Sequence, residues 1–141
     1  MSETCIFCEI LAGRAEVSMV YRDDRVAAFM DIQPVNSGHV LVIPVEHVPD
    51  LGKLDPGDGG RIFAVGQQVA GAIYRSDIRA EAVNFFLADG EAAGQDVFHV
   101  HLHVIPRYEG DGFGLTFAPE YFSLPPRRDL DLAADTIRTN L

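Results

Sequence analysis

The 141-residue sequence is poor in basic residues, has only two cysteines, and holds no long apolar run. Each shortage removes a class of protein. Eleven Lys and Arg stand against 21 Asp and Glu, for a formal charge of −10. That field repels a phosphodiester backbone, so no nucleic acid polymer is expected as partner. A small anion stays admissible, because backbone N–H groups and imidazoles bind one locally whatever the net charge. No apolar stretch approaches the ~20 residues that span a bilayer, and no membrane partner is expected. The start Met1-Ser2-Glu3-Thr4 lacks the basic opening of a signal peptide, so the chain reads as cytoplasmic. In that reducing compartment a structural disulfide is not expected between Cys5 and Cys8. Three readings of the pair stay open: a metal site, a redox pair, or two small buried residues.

What is present fits one ordinary domain, with a core near residues 5–108 and a tail over 109–141. Phe7 to Leu11 reads as a short helix closed by Gly13, in keeping with glycine's use at helix ends. Val17–Arg22 and Arg25–Met30 read as strands around an Asp23-Asp24 turn, and His39–Val45 as a third. From Arg61, the residues Ile62, Val65, Val69 and Ile73 recur at helical steps, which predicts an amphipathic helix. Ala82–Ala88 and Val97–Ile105 read as strands four and five, and a final helix follows Pro125-Pro126. Strands come mostly in neighbouring pairs, with helices set apart. That favours an α+β fold on an antiparallel sheet.

Three of the five histidines stand at 99, 101 and 103. On a strand alternate side chains share a face, which aligns the three imidazoles about 7 Å apart. Val97 joins them, and Phe98, Val100, Leu102 and Val104 fill the opposite face. Three structural imidazoles in a row would each need buried partners, a heavy demand. A metal site is a second reading. The third is nucleophilic catalysis: a neutral imidazole with one nitrogen held by a partner directs the other at a substrate, and a neighbouring His assists the leaving group.

His99-Val100-His101-Leu102-His103-Val104-Ile105 resembles the His-φ-His-φ-His-φ-φ motif (φ apolar) of the histidine triad, or HIT, family. Ile6-Phe7-Cys8-Glu9-Ile10, Tyr21 to Ile32, Gly38 to Pro44, and Ala93 to Phe98 resemble other family segments, in the same order. The resemblance implies a five-stranded antiparallel sheet with one long helix and short terminal helices, in a homodimer. It implies transfer of a nucleoside monophosphate: His101 attacks the α-phosphate, His103 contacts the phosphate and assists the leaving group, and His99 and His39 support the nucleophile. A phosphoramidase-like hydrolase of purine nucleotide conjugates, dinucleoside polyphosphates included, is the expected enzyme. A nucleotide-binding regulatory protein with little turnover is the alternative.

The same resemblance places a purine against Phe7, Ile10, Phe29 and Ile32, ribose hydroxyls on Asp31, and phosphate beside Gly94, Gln95, Asp96 and Val97. Without the motif, Phe29 and Ile32 would pass for core. Many bacterial relatives carry zinc on positions matching Cys5, Cys8, His47 and His99, so a structural Zn²⁺ is implied, with no cofactor required for chemistry. Alone, His47 reads equally as a solvated loop residue. Two positions depart from the eukaryotic phosphoramidase-like pattern: Ala88 replaces an asparagine, and Asp96 a serine or threonine. A carboxylate beside a phosphate costs Coulomb energy. Asp96 either favours cationic leaving groups or points outward and caps its loop.

Overall fold

The computed structural model describes residues 5–141; the reading of residues 1–4 lies outside them. The chain divides into two compact units, Met1–Asp111 and Gly112–Leu141. In the second, Pro119–Phe122 forms a 3-10 turn and Arg127–Thr139 a helix. Phe117 stacks on Tyr121 at a 3.8 Å centroid separation.

The first unit holds α1 (Ile6–Leu11), β1 (Met19–Arg22), β2 (Val26–Met30), β3 (Val40–Pro44), α2 (Pro56–Tyr74), β4 (Ala82–Phe86) and β5 (Leu102–Arg107). The five strands make one antiparallel sheet in the order β1-β2-β3-β5-β4. Period-two alternation sorts the side chains onto two faces. Val26, Ala28, Val40, Val42, Leu102 and Val104 pack against Ile62, Val65, Val69 and Ile73 of α2. Ala27, Phe29, Leu41 and Ile43 turn the other way, onto Phe7 and Ile10 of α1. His103 stands opposite Leu41 in the ladder and so belongs to the α1 face. The long helix therefore buries one side of the sheet and leaves the other to the histidines. Among the described residues no helix is long and apolar enough to cross a membrane.

Two boundaries differ from the sequence reading by five residues, and the others by one or two. Helix α2 begins at Pro56, a turn before Arg61. The Asp55 side chain accepts from the N–H groups of Gly57 and Asp58, and proline suits the first helical position. Those features outweigh the poor propensity of Gly57, Gly59 and Gly60. Strand β5 begins at Leu102, five residues after Val97. Val42 pairs with Leu102, so the next rungs would need Ile43 and Pro44, and proline has no N–H to give. The chain bends over residues 97–99, and Val100 N–H bonds to Val48 O at 2.8 Å instead. The bend spoils the expected burial of Phe98, which is 49% exposed, while Val100, Leu102 and Val104 stay buried.

Candidate active site and metal centre

Gly38 leads the chain into the site. Its φ is +96°, and a Cβ there would lie 2.9 Å from Ile78, so only glycine fits without strain. His39 follows, buried, and accepts the N–H of Val35 on Nδ1 at 3.0 Å. That bond fixes the tautomer: Nε2 carries the proton and donates to Nδ1 of His103 at 2.9 Å. His103 in turn keeps its proton on Nε2. Asp31 lies 3.5 Å from His39 Nε2 through Oδ2, while its Oδ1 accepts Gln33 N–H at 2.8 Å.

His101 is fixed by the same logic. Its Nδ1 sits 2.8 Å from the carbonyl oxygen of His99. A carbonyl only accepts, so Nδ1 holds the proton and Nε2 presents a bare lone pair. The ring packs edge-on against Phe7 at 5.2 Å and tilts against His103 at 4.9 Å. Both His101 and His103 line a cavity of about 390 Å³, together with Phe7, Ile10, Phe29 and Asp31. Asp96 and Val97 also line it, and Ile32 does so from an exposed position, 96% accessible.

Gly94 and Gln95 are not among the lining residues. Gln95 is buried: Oε1 accepts Gly90 N–H, and Nε2 donates to the carbonyls of Pro49 and Val97. It shapes the loop that carries Asp96. Gly94 supplies a φ of +98° to the same loop. Ala88 is buried and outside the lining. Glu16 joins the cavity from the segment before β1; no motif or periodicity marked it, because only the fold brings that segment to the histidines.

His99 turns away from the cavity. Its Nε2–H donates to Pro44 O at 2.8 Å, which leaves Nδ1 a lone pair aimed at three other donors. His47 Nδ1 is 3.3 Å away, Cys5 Sγ 3.5 Å and Cys8 Sγ 3.7 Å, and Cys8 Sγ is 3.3 Å from His47 Nδ1. Tetrahedral zinc with bonds of about 2.05 Å to nitrogen and 2.3 Å to sulfur has ligand–ligand edges of roughly 3.3–3.8 Å. The two thiols and two imidazoles fit that metal. The carboxylate–imidazole group of Asp31, His39 and His103 is also compact, but its 2.9 Å nitrogen pair is a hydrogen bond.

Burial sets the protonation of the site. It pushes His103 down to about 4, helped by the neighbouring His101 and His39 and opposed by Asp31 and Asp96. Burial likewise lowers His39 and takes His99 to about 4. A consequence can be measured. An unfolded His titrates near pH 6.5, whereas folded His103 stays neutral down to about 4. Between those values the unfolded chain binds the extra proton, so stability is full above pH 6.5 and falls on acidification. With solvent screening the loss is about 1–2 kcal/mol. Urea unfolding at neutral pH and at mildly acid pH checks it: His103→Gln shows the smaller acid loss, whatever the other groups contribute. Equal losses in the two proteins would refute the assignment.

The fold and site together define a protein with a row of tautomer-fixed imidazoles beside a cavity of about 390 Å³, and with a thiol–imidazole tetrad behind them. The model of the HIT domain matches residues 12–110, and the chain belongs to that family. A HIT family protein from Bacillus anthracis superposes with a TM-score of 0.88 at 41% identity, over 99% of this chain and 98% of that one. A zinc-bound histidine triad family protein from Mycobacterium smegmatis gives 0.77 at 40% identity, covering 84% and 86%. An adenylylsulfatase of Arabidopsis thaliana is 32% identical over 79% of this chain and 56% of its own length.

Proposed function

We propose that this protein is a nucleotidyl hydrolase or transferase that cleaves a purine nucleoside monophosphate from its leaving group through a covalent intermediate on His101. The observation that supports it best is the orientation of His101, whose Nδ1–H is held by the His99 carbonyl and whose Nε2 is bare in the cavity. Attack by Nε2 forms the nitrogen–phosphorus bond while the scissile pair departs with the leaving group. The ring then carries positive charge on the protonated side, where the carbonyl stabilises it. His103, neutral by burial, donates its Nε2–H as a hydrogen bond to the phosphoryl group or leaving atom, and His39 keeps that proton on the correct nitrogen. Water attacks phosphorus in the second step and frees His101.

Phe7, Ile10, Phe29 and Ile32 form the base side, the Asp31 carboxylate offers acceptors for ribose hydroxyls, and Val97 stays with the phosphate-side loop. Gly94 and Gln95 serve by shaping the phosphate-side loop. An apolar slot takes adenine or guanine. Relatives that break nucleotide–leaving-group bonds, such as the plant adenylylsulfatase, support the reaction class. Zinc on Cys5, Cys8, His47 and His99 would supply no chemistry and would anchor the residue whose carbonyl orients the nucleophile. Edge strand β4, with Phe86 exposed, offers the sheet extension that a homodimer of the family uses.

The test is trapping. Protein mixed with labelled adenosine phosphoramidate, quenched quickly and digested, yields an AMP adduct on the peptide containing His101. Tight AMP binding with no adduct and no turnover would replace this reading by a binding protein.

A further inference from the structure

We propose that Asp96 selects the leaving group by charge, so that the preferred substrates are nucleoside phosphoramidates whose departing amine carries a second, cationic amine. The proposal rests on nucleotidyl transfer to His101 as read above and names the substrate class of that site.

Three observations carry it. The Asp96 Oδ1 atom lies 3.6 Å from Nε2 of His101, the nitrogen that meets phosphorus. Its side chain is 82% exposed, and the His101 ring is the imidazole its carboxylate stands beside. Among the described residues no backbone N–H is bonded to it, so it does not cap its loop. Finally, Glu16, Asp31 and Asp96 line the cavity, and among the described residues that line it there is no Lys or Arg. Every charge fixed in the wall is negative.

The consequence follows from where atoms must go. His101 Nε2 forms the bond to phosphorus; the phosphorus–nitrogen bond breaks with its pair on the amine, which takes a proton from water. A second water attacks phosphorus, loses a proton and restores neutral His101. Throughout, the phosphoryl oxygens sit beside the nucleophile and therefore beside Asp96. The leaving atom departs on the far side, so a charge two or three atoms further along can fold back towards the carboxylate. An ammonium there offsets the repulsion of the phosphoryl oxygens, whereas further phosphates or a carboxylate add to it. At the near-aqueous screening of an exposed Asp96, each unit of charge changes recognition by about threefold to fivefold.

The experiment uses three adenosine phosphoramidates that differ only in the nitrogen substituent: aminopropyl, propyl and carboxyethyl. Affinity is measured by calorimetry on His101→Asn and on His101→Asn combined with Asp96→Asn, so that recognition is read without turnover. Wild type and Asp96→Asn are then compared by kcat/KM. The expected order is aminopropyl, propyl, carboxyethyl, about threefold to fivefold apart at each step. Asp96→Asn compresses each step to within about twofold and strengthens propyl binding, because the phosphoryl oxygens no longer meet the carboxylate, and added salt compresses the order in the parent. A flat order in the parent, or an order that survives Asp96→Asn, overturns the proposal. Should wild type form no adduct and turn nothing over while the binding order and its loss hold, the transfer reaction fails and charge selection by Asp96 stands.

Discussion

Replacing His101 with asparagine abolishes turnover while leaving nucleotide binding nearly intact. The loss of kcat on adenosine phosphoramidate is at least about 10³-fold, because no other group can form the covalent intermediate. Affinity for AMP changes by no more than a few-fold, since Phe7, Ile10, Phe29 and Asp31 still line the cavity. Asparagine also keeps an N–H that can reach the His99 carbonyl, so the local fold survives. His103→Asn is expected to lose less, about 10²-fold, the usual scale for a group that helps rather than reacts. Rapid-quench kinetics and calorimetry separate the two effects. Comparable kcat in His101→Asn and wild type would remove His101 from the chemistry.

Losing the thiol–imidazole centre unfolds the protein at markedly lower temperature. Cys8→Ala removes one donor of four and leaves two imidazole nitrogens 3.3 Å apart with their lone pairs converging. Zinc binding to a folded site is folding free energy. This domain also has a core on each sheet face, so the expected loss is a fraction of that seen in zinc fingers, about 3–5 kcal/mol. For a chain of this size that lowers Tm by roughly 10–15 °C. Protein purified without an affinity tag should carry one zinc per chain by elemental analysis, and Cys5→Ser or Cys8→Ala should carry none. Zinc content and Tm unchanged in both variants would sink the site.

Strands β2 and β3, the amphipathic helix carrying Ile62 to Ile73, and the histidine row were legible because each is a local pattern, whereas the burial of both faces of β2 and β3 came from the structure. The resemblance to the HIT family was legible for a related reason, as five segments stand in order along residues 5–108. The expectation that the row lies on a strand was only partly met. His103 is in β5, whereas His99 and His101 precede it. Pro44, on a different strand, ends the ladder, and no property of residues 97–101 announces that. Gln95 was grouped with the phosphate loop on sequence, and the structure turns its amide inward to three backbone partners. Glu16 carried no signal at all.

Asp96 marks the division most sharply. Sequence identified it as a departure and left two orientations open, because a side chain's direction at a loop position depends on the backbone around it. By itself the sequence determined the fold class through residue type and spacing, and its resemblance to the HIT family pointed to His101 as the proposed nucleophile and to Cys5, Cys8, His47 and His99 as the candidate metal ligands. Only the tertiary structure decided which nitrogen is bare on His99 and on His103, since the partners that fix it lie far away in the chain: Pro44 for His99 and His39 for His103. It also decided that the Asp96 carboxylate lies 3.6 Å from Nε2 of His101. Hydrogen bonds and charge contacts are set by distances in space, and sequence spacing carries those distances only within a single element.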